Sequence, residues 1–228
     1  MTPPVVLVHG WAGSFAATWE STGFPALLSD AGRSVIGVDL LGHGQAPKPH
    51  DPSAYDDLVS RVVASLPDDG PVDAVGFSLG ALTLLRAASS RPNRFDRLVL
   101  AGIGRNVLEP DEGQTERILA GLDGLAPPDD NEARLFAQYA SGPGNDLVAL
   151  AAVLRAHRPP IAVEQLAAVT CPVLVIVGDR DFVYPADTLI AALPDARSVV
   201  LPNVDHFATP KSFGFFDAAL EFLDALPG

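Results

Sequence analysis

Cysteine is almost missing from this chain: the 228 residues contain one, Cys171. An internal disulfide is thereby excluded, and the composition fits a reducing compartment. Cys171 stands between Thr170 and Pro172, just before an apolar run. A small buried residue is expected there rather than a reactive thiol. Positive charge is also scarce. Fifteen Lys and Arg against 28 Asp and Glu give a formal net charge of −13. Nucleic acid and anionic membrane surfaces are therefore not expected as partners. No apolar run approaches the ~18 residues that cross a bilayer, and Met1-Thr2-Pro3-Pro4 carries no basic leader-like region. The chain reads as cytoplasmic. It has no G-x-G-x-x-G or phosphate loop, so no dinucleotide or nucleotide cofactor is expected. No histidine and carboxylate cluster has metal-binding spacing. Repeats and low-complexity tracts are absent.

What is present is a chain that is 48% apolar and 19% charged, enough for one sizeable core. Six apolar runs read as strands: Val5–Val8, Val35–Val38, Val72–Phe77, Leu98–Leu100, Val173–Val177 and Ser198–Leu201. They are continuous rather than alternating, as in strands covered on both faces. Helical segments lie between them, near Ala17–Ser29, Ala54–Leu66, Leu79–Ser89 and Ala186–Leu193, with a last one at Gly214–Ala225. The expected fold class is α/β: a doubly wound, mostly parallel sheet of six strands with helices on both faces. Residues 1–228 are expected to form one domain. Between the fourth and fifth strands, residues 103–168 show no strand pattern. Proline and glycine breaks there leave room for helices near Gln114–Leu122, Asn131–Tyr139 and Asp146–His157.

The chemistry-bearing motif is Gly76-Phe77-Ser78-Leu79-Gly80. It joins an apolar strand to the helix-like Ala81–Ala88. That context places Ser78 at the apex of a sharp turn. Side chains two positions either side would meet neighbouring backbone, so glycine is required at both. The turn also sets Ser78 at a helix N-terminus, where free N–H groups and the helix dipole favour developing negative charge. A serine nucleophile needs a general base. Of the five histidines, His206 follows the last strand. An acid to orient it should leave a neighbouring strand, and Gly178-Asp179-Arg180-Asp181 does so. Loops at the C-terminal ends of parallel strands share one edge of the sheet. The order along the chain is Ser, Asp, His.

That order, with these motifs, resembles the α/β-hydrolase family over essentially the whole chain. His9-Gly10-Trp11 stands where the family has its oxyanion loop, and Asp39-Leu40-Leu41-Gly42-His43-Gly44 matches its D-x-x-G-H-G turn. Gly178-Asp179-Arg180-Asp181 matches its G-x-x-D loop, which makes Asp181 the orienting acid and leaves Asp179 to hold the turn. The resemblance implies that Ser78 is the nucleophile and His206 the general base and acid. The backbone N–H groups of Trp11 and Leu79 form the oxyanion hole. It also implies that 103–168 is a helical cap. His9 is expected to brace the oxyanion loop, His43 to be structural, Asp39 to tie down its turn, and His50 and His157 to lie on the surface. The chain departs from the family pattern by lacking the usual N-terminal strand pair, so one sheet edge is expected to be barer.

The function implied is hydrolysis of a small-molecule carboxylic ester or acyl substrate through an acyl-enzyme, without a cofactor or metal. Alternatives on the same residues are a carbon–carbon bond hydrolase, a cofactor-free perhydrolase and a menaquinone-pathway lyase or synthase. A slow-turnover ligand-binding or receptor protein is another. A serine at the turn argues against haloalkane dehalogenases and epoxide hydrolases, which carry aspartate there. A homodimer is compatible with the chain.

Overall fold

The computed structural model describes residues 2–226. Its six strands are β1 (Val5–Val8), β2 (Val35–Val38), β3 (Val72–Phe77), β4 (Phe95–Ala101), β5 (Val173–Gly178) and β6 (Ala196–Leu201). All pair in parallel, in the order β2-β1-β3-β4-β5-β6. Val5 aligns with Val35 on one side and Asp73 on the other. The chain winds outward from β1 to β2, then returns to place β3 on the opposite side. The winding direction therefore reverses between β1 and β3. In such sheets the crevice at the C-terminal ends of the strands opens at this point.

Successive side chains of a strand point to opposite faces, and the core divides accordingly. Val6, Val8, Ala74, Leu98, Leu100 and Val175 face one layer. Helices α2 (Val59–Ala64), α3 (Leu79–Ser90), α7 (Val163–Ala167) and α8 (Asp187–Ala192) cover it. Val5, Leu7, Val75, Val99, Leu174 and Ile176 face the other. There α1 (Phe24–Asp30) and α9 (Phe213–Phe222) close the core, with Phe24 and Phe215 rings 5.3 Å apart. Burial on both faces explains why the strands are apolar runs. Cys171 lies in the first layer, and burial pushes its thiol up to about 11.

Two expected helices are broken. The segment 17–29 forms irregular helical turns at Phe15–Trp19 and Glu20–Thr22, and α1 starts only at Phe24. Gly23 between them has φ +78°, a left-handed conformation that ends one helical run before the next begins. Likewise 54–66 divides into a turn at Pro52–Tyr55 and the short α2. The segment between β4 and β5 holds α4 (Gln114–Leu122), α5 (Asn131–Ala140) and α6 (Leu147–Arg155). The carboxylate of Asp130 accepts the Ala133 N–H at 2.9 Å and starts α5. Asp146 accepts those of Val148 and Ala149 at 3.0 and 3.1 Å and starts α6. The unexpected α7 packs on α3 and α8, with Leu166 in the sheet layer. No helix among the described residues is long and apolar enough to cross a membrane.

At the end of the sheet away from the crevice, Arg33 and Asp73 form an ion pair with both side chains 2% exposed. Arg33 also donates to the carbonyls of Pro3 at 2.8 Å and Leu223 at 2.6 Å. It thus ties the N-terminal segment and the end of α9 to β3. Burial outweighs the guanidinium and holds the Asp73 carboxyl above its ordinary value. Breaking such a pair strands a buried charge. Arg33→Met should destabilise the protein by about 3 kcal/mol in urea unfolding. A loss below about 1 kcal/mol, the range of an exposed pair, would show that the pair is solvated.

Candidate active site

The turn after β3 begins the site. Ser78 has φ 50° and ψ −115°, a strained conformation for a residue with a side chain. Its own N–H is committed to the Ala101 carbonyl at 2.8 Å. The two flanking glycines are required by backbone approach. A Cβ on Gly76 would lie 2.7 Å from the Ala81 backbone, and one on Gly80 would lie 2.4 Å from the Val8 carbonyl oxygen. The start of α3 is thus pressed against the end of β1. The serine stands at the crevice that the sheet topology opens.

Loops from β5 and β6 bring two more side chains to it. His206 Nε2 lies 3.0 Å from Ser78 Oγ. His206 Nδ1 lies 3.1 and 3.0 Å from the two carboxylate oxygens of Asp181. An ionised carboxylate only accepts, so Nδ1 carries the ring proton and Nε2 is free to accept from the serine hydroxyl. Asp181 is buried and also accepts the Val183 N–H at 3.1 Å. Asp179 takes no part in this chain of contacts. Its Oδ1 accepts the Asn203 N–H at 2.7 Å and ties the β5 loop to the β6 loop.

Rings pack around the imidazole. The centroids of Phe182, Phe77 and Phe207 lie 4.5, 5.0 and 5.5 Å from that of His206. This collar keeps water from the imidazole–carboxylate contact and strengthens it. Two of its members, Phe182 and Phe207, directly follow Asp181 and His206 in sequence. That adjacency was a signal available without the structure.

Trp11 and Leu79 border the same cavity as Ser78 and His206, about 210 Å³ in volume. Among the described residues, neither backbone N–H meets a protein acceptor. The Trp11 indole serves another purpose: Nε1 donates to the Leu150 carbonyl in α6 at 3.1 Å. Ile118, Phe136 and Val153 from α4, α5 and α6 close the cavity from above. Asn145 donates to the Ala12 carbonyl at 2.9 Å, and His50 lies 2.8 Å from Asp146, so the inserted helices are anchored at several points. A larger groove of about 700 Å³ beside Tyr139 and Asn145 includes neither Ser78 nor His206. Among the described residues, no cluster of His, Cys, Asp and Glu could hold a metal ion.

The remaining motif residues brace the loops. Buried His9 donates from Nδ1 to the Gly10 carbonyl at 2.7 Å and accepts the Leu40 N–H at Nε2 at 3.1 Å. It thereby joins the turn after β1 to the turn after β2. Asp39 accepts the N–H groups of Phe15 and Gln45, each at 2.7 Å. His43 is buried, with Nδ1 on the Leu41 carbonyl at 2.9 Å. His157 is exposed, and only its backbone is engaged, by Asp56 at 2.9 Å.

The chain belongs to the alpha/beta hydrolase family, whose model matches residues 5–225. It is 32% identical over 207 residues to a pimeloyl-[acyl-carrier protein] methyl ester esterase of Methylococcus capsulatus, covering 81% of this chain and 79% of that protein. It is 29% identical over 230 residues to the enzyme of the same name from Aeromonas hydrophila, covering 90% and 88%. The fold matches a thermophilic esterase from Thermogutta terrifontis with a TM-score of 0.71 at 22% identity, over 98% of this chain and 90% of the other. A bromoperoxidase from Bacillus anthracis gives 0.71 at 24% identity, over 98% and 92%.

Burial holds the imidazoles of His9 and His43 neutral, pushing His43 down from 6.5 to about 3. In the unfolded chain both would protonate near their ordinary value. The unfolded state therefore binds more protons below that value, and stability falls with falling pH. The stability His43 contributes is intact above pH 6.5 and drains away toward pH 3. His43→Leu should reduce the slope of unfolding free energy against pH, between these limits, by about 1.4 kcal/mol per pH unit. Urea melts across that range measure it, and an unchanged slope would mean that His43 titrates normally in the folded protein.

Proposed function

We propose that this protein hydrolyses small-molecule carboxylic esters through an acyl-enzyme on Ser78. The observation that carries the reading is the buried contact chain from Ser78 Oγ through His206 to Asp181, beside two free backbone N–H groups. The naming of two sequence relatives as methyl ester esterases supports the choice of ester.

In this reading His206 Nε2 takes the hydroxyl proton as Ser78 Oγ attacks the carbonyl carbon. Asp181 holds the ring in the required tautomer and offsets the imidazolium charge. The tetrahedral oxyanion accepts hydrogen bonds from the Trp11 and Leu79 N–H groups. Loss of one such donor typically costs ~10²–10³ in turnover. Leu79 stands at the N-terminus of the 12-residue α3, whose dipole adds to the effect. The imidazolium then protonates the departing alkoxide. Water enters, gives a proton to His206 and attacks the acyl carbon; collapse breaks the bond to Ser78 Oγ, which takes that proton from His206, and the acid is released.

The whole chain acts as one α/β-hydrolase domain, with 103–168 as its cap. The cavity of about 210 Å³ under α4, α5 and α6 suits short and medium acyl groups. A single buried thiol fits work in the cytoplasm.

Ser78→Ala should lower kcat on p-nitrophenyl butyrate by ~10⁴-fold or more, with thermal unfolding unchanged. A variant that keeps more than a few per cent of activity removes Ser78 as nucleophile.

The two loop acids divide the roles. Asp181→Asn should lower kcat by ~10⁴-fold, because the amide stabilises the wrong tautomer. Asp179→Asn should retain turnover and lose about 1 kcal/mol of stability through its tie to Asn203. The reverse pattern in paired kinetic and melting measurements would assign the orienting role to Asp179.

A further inference from the structure

A cation without a partner carboxylate borders the serine cavity. Arg158 lines the same space as Ser78 and His206. Its guanidinium is held by neutral acceptors only, the carbonyls of Tyr55 at 3.1 Å and Val153 at 2.8 Å. An adjoining pocket of about 200 Å³ shares Leu79, Leu82 and Arg158 with the serine cavity and contains a second guanidinium, that of Arg86. Arg86 donates to the Pro159 carbonyl. Among the described residues, neither arginine has a carboxylate within 4.0 Å. Asp56 is the one acid lining the pocket, and its Oδ1 already accepts the His157 N–H.

This arrangement is unusual for a chain with 28 acids against 15 bases. Ion pairs are easily found in such a sequence, and these two half-buried guanidiniums are without one within 4.0 Å among the described residues. Burial disfavours the charge on both groups and Arg86 adds repulsion at Arg158, which the nearby Asp56 carboxylate offsets only in part. An anion placed between them would relieve both costs.

The opposite side of the serine has the opposite sign. A pocket of about 340 Å³ shares Asn106, Gln114 and Phe182 with the serine cavity. It carries the carboxylates of Glu109, Asp111 and Glu132 against Arg105, and Arg117 lies 2.7 Å from Asp111 and 3.9 Å from Glu132. Three carboxylates face two guanidiniums on this side, and two guanidiniums face Asp56 on the other, so the potential rises across Ser78 toward Arg158. Leu79, Leu82, Thr83 and Arg86 lie on one face of α3, at i, i+3, i+4 and i+7. From Ser78 to Arg86 the helix advances ~12 Å. Between the two ends the lining is apolar, through Leu79 and Leu82.

Resting on the ester-hydrolase reading above, we infer that Arg158, supported by Arg86, receives a carboxylate at the far end of the acyl group. The favoured substrates are then half-esters of medium-length dicarboxylic acids, with the free carboxylate directed away from the scissile bond. The apolar stem lies along Leu79 and Leu82, and the alcohol leaves on the acidic side. Arg158 and Arg86 are specificity residues and touch no reacting atom.

The test compares matched pairs: monoethyl suberate with ethyl octanoate, and monoethyl adipate with ethyl hexanoate. For the wild type, kcat/KM should favour the half-ester by at least tenfold. In Arg158→Gln this preference should fall at least tenfold, and in Arg86→Gln it should fall in the same direction. Stoichiometric labelling of Ser78 by a fluorophosphonate reports an intact site in each variant. A wild type that prefers the neutral ester, or a preference that neither variant changes, overturns the inference and leaves the esterase reading standing. In that case the arginines merely clamp the Tyr55 and Val153 carbonyls. If neither ester of either pair is turned over by labelled-competent enzyme, the esterase reading fails and takes the inference with it.

Discussion

Contact between the end of β1 and the start of α3 governs this structure. Gly80 packs so closely on the Val8 and His9 carbonyls that no side chain fits between them. That approach fixes the turn after β3, and with it the left-handed conformation of Ser78. It also brings the turn after β1 beside the helix N-terminus, so Trp11 and Leu79 border one cavity. His9 then couples this turn to the one after β2 through the Gly10 carbonyl and the Leu40 N–H. Strain at one residue is held by a rigid surround, which is how such conformations persist at functional sites.

The second constraint is electrostatic. The chain is strongly acidic, yet its charges are not spread evenly around the site. Asp181 is enclosed with His206 inside an aromatic collar, where their hydrogen bond is least screened. Asp179, two residues earlier, stays outside the collar and holds two loops together. Neighbouring acids on one loop thus acquire different physical roles from burial and partners alone. Arg158, with no carboxylate within 4.0 Å among the described residues, borders the same cavity as Ser78 and His206.

Much of this was legible in the sequence because its signals are local. The first three strands run at the expected residues, since β-branched runs between glycine and proline leave little choice. The Gly76–Gly80 motif carries its own steric explanation. Helix α4 begins and ends as its pattern indicates. The family resemblance holds, and so does the six-stranded parallel sheet read from the apolar runs. The four-residue β2 lies at one edge of the sheet, with Gly37 exposed. Contacts between distant segments left no local trace. The Trp11 indole reaches Leu150, Asn145 reaches Ala12, and His50, read as a plain surface histidine, meets Asp146. Helix α7 follows Pro159-Pro160, and its short pattern was hidden by the break before it. The interruption at Gly23 depends on a positive φ that composition alone does not dictate.

The central claim is that this strained turn presents a serine that carries the acyl group. Rapid quenching of the enzyme with p-nitrophenyl acetate, followed by peptide mass spectrometry, tests it most directly. The account predicts a burst of one p-nitrophenol per chain and a single acetyl group on the peptide containing Ser78. Turnover without an acylated peptide, or an acetyl group on any other residue, would contradict it.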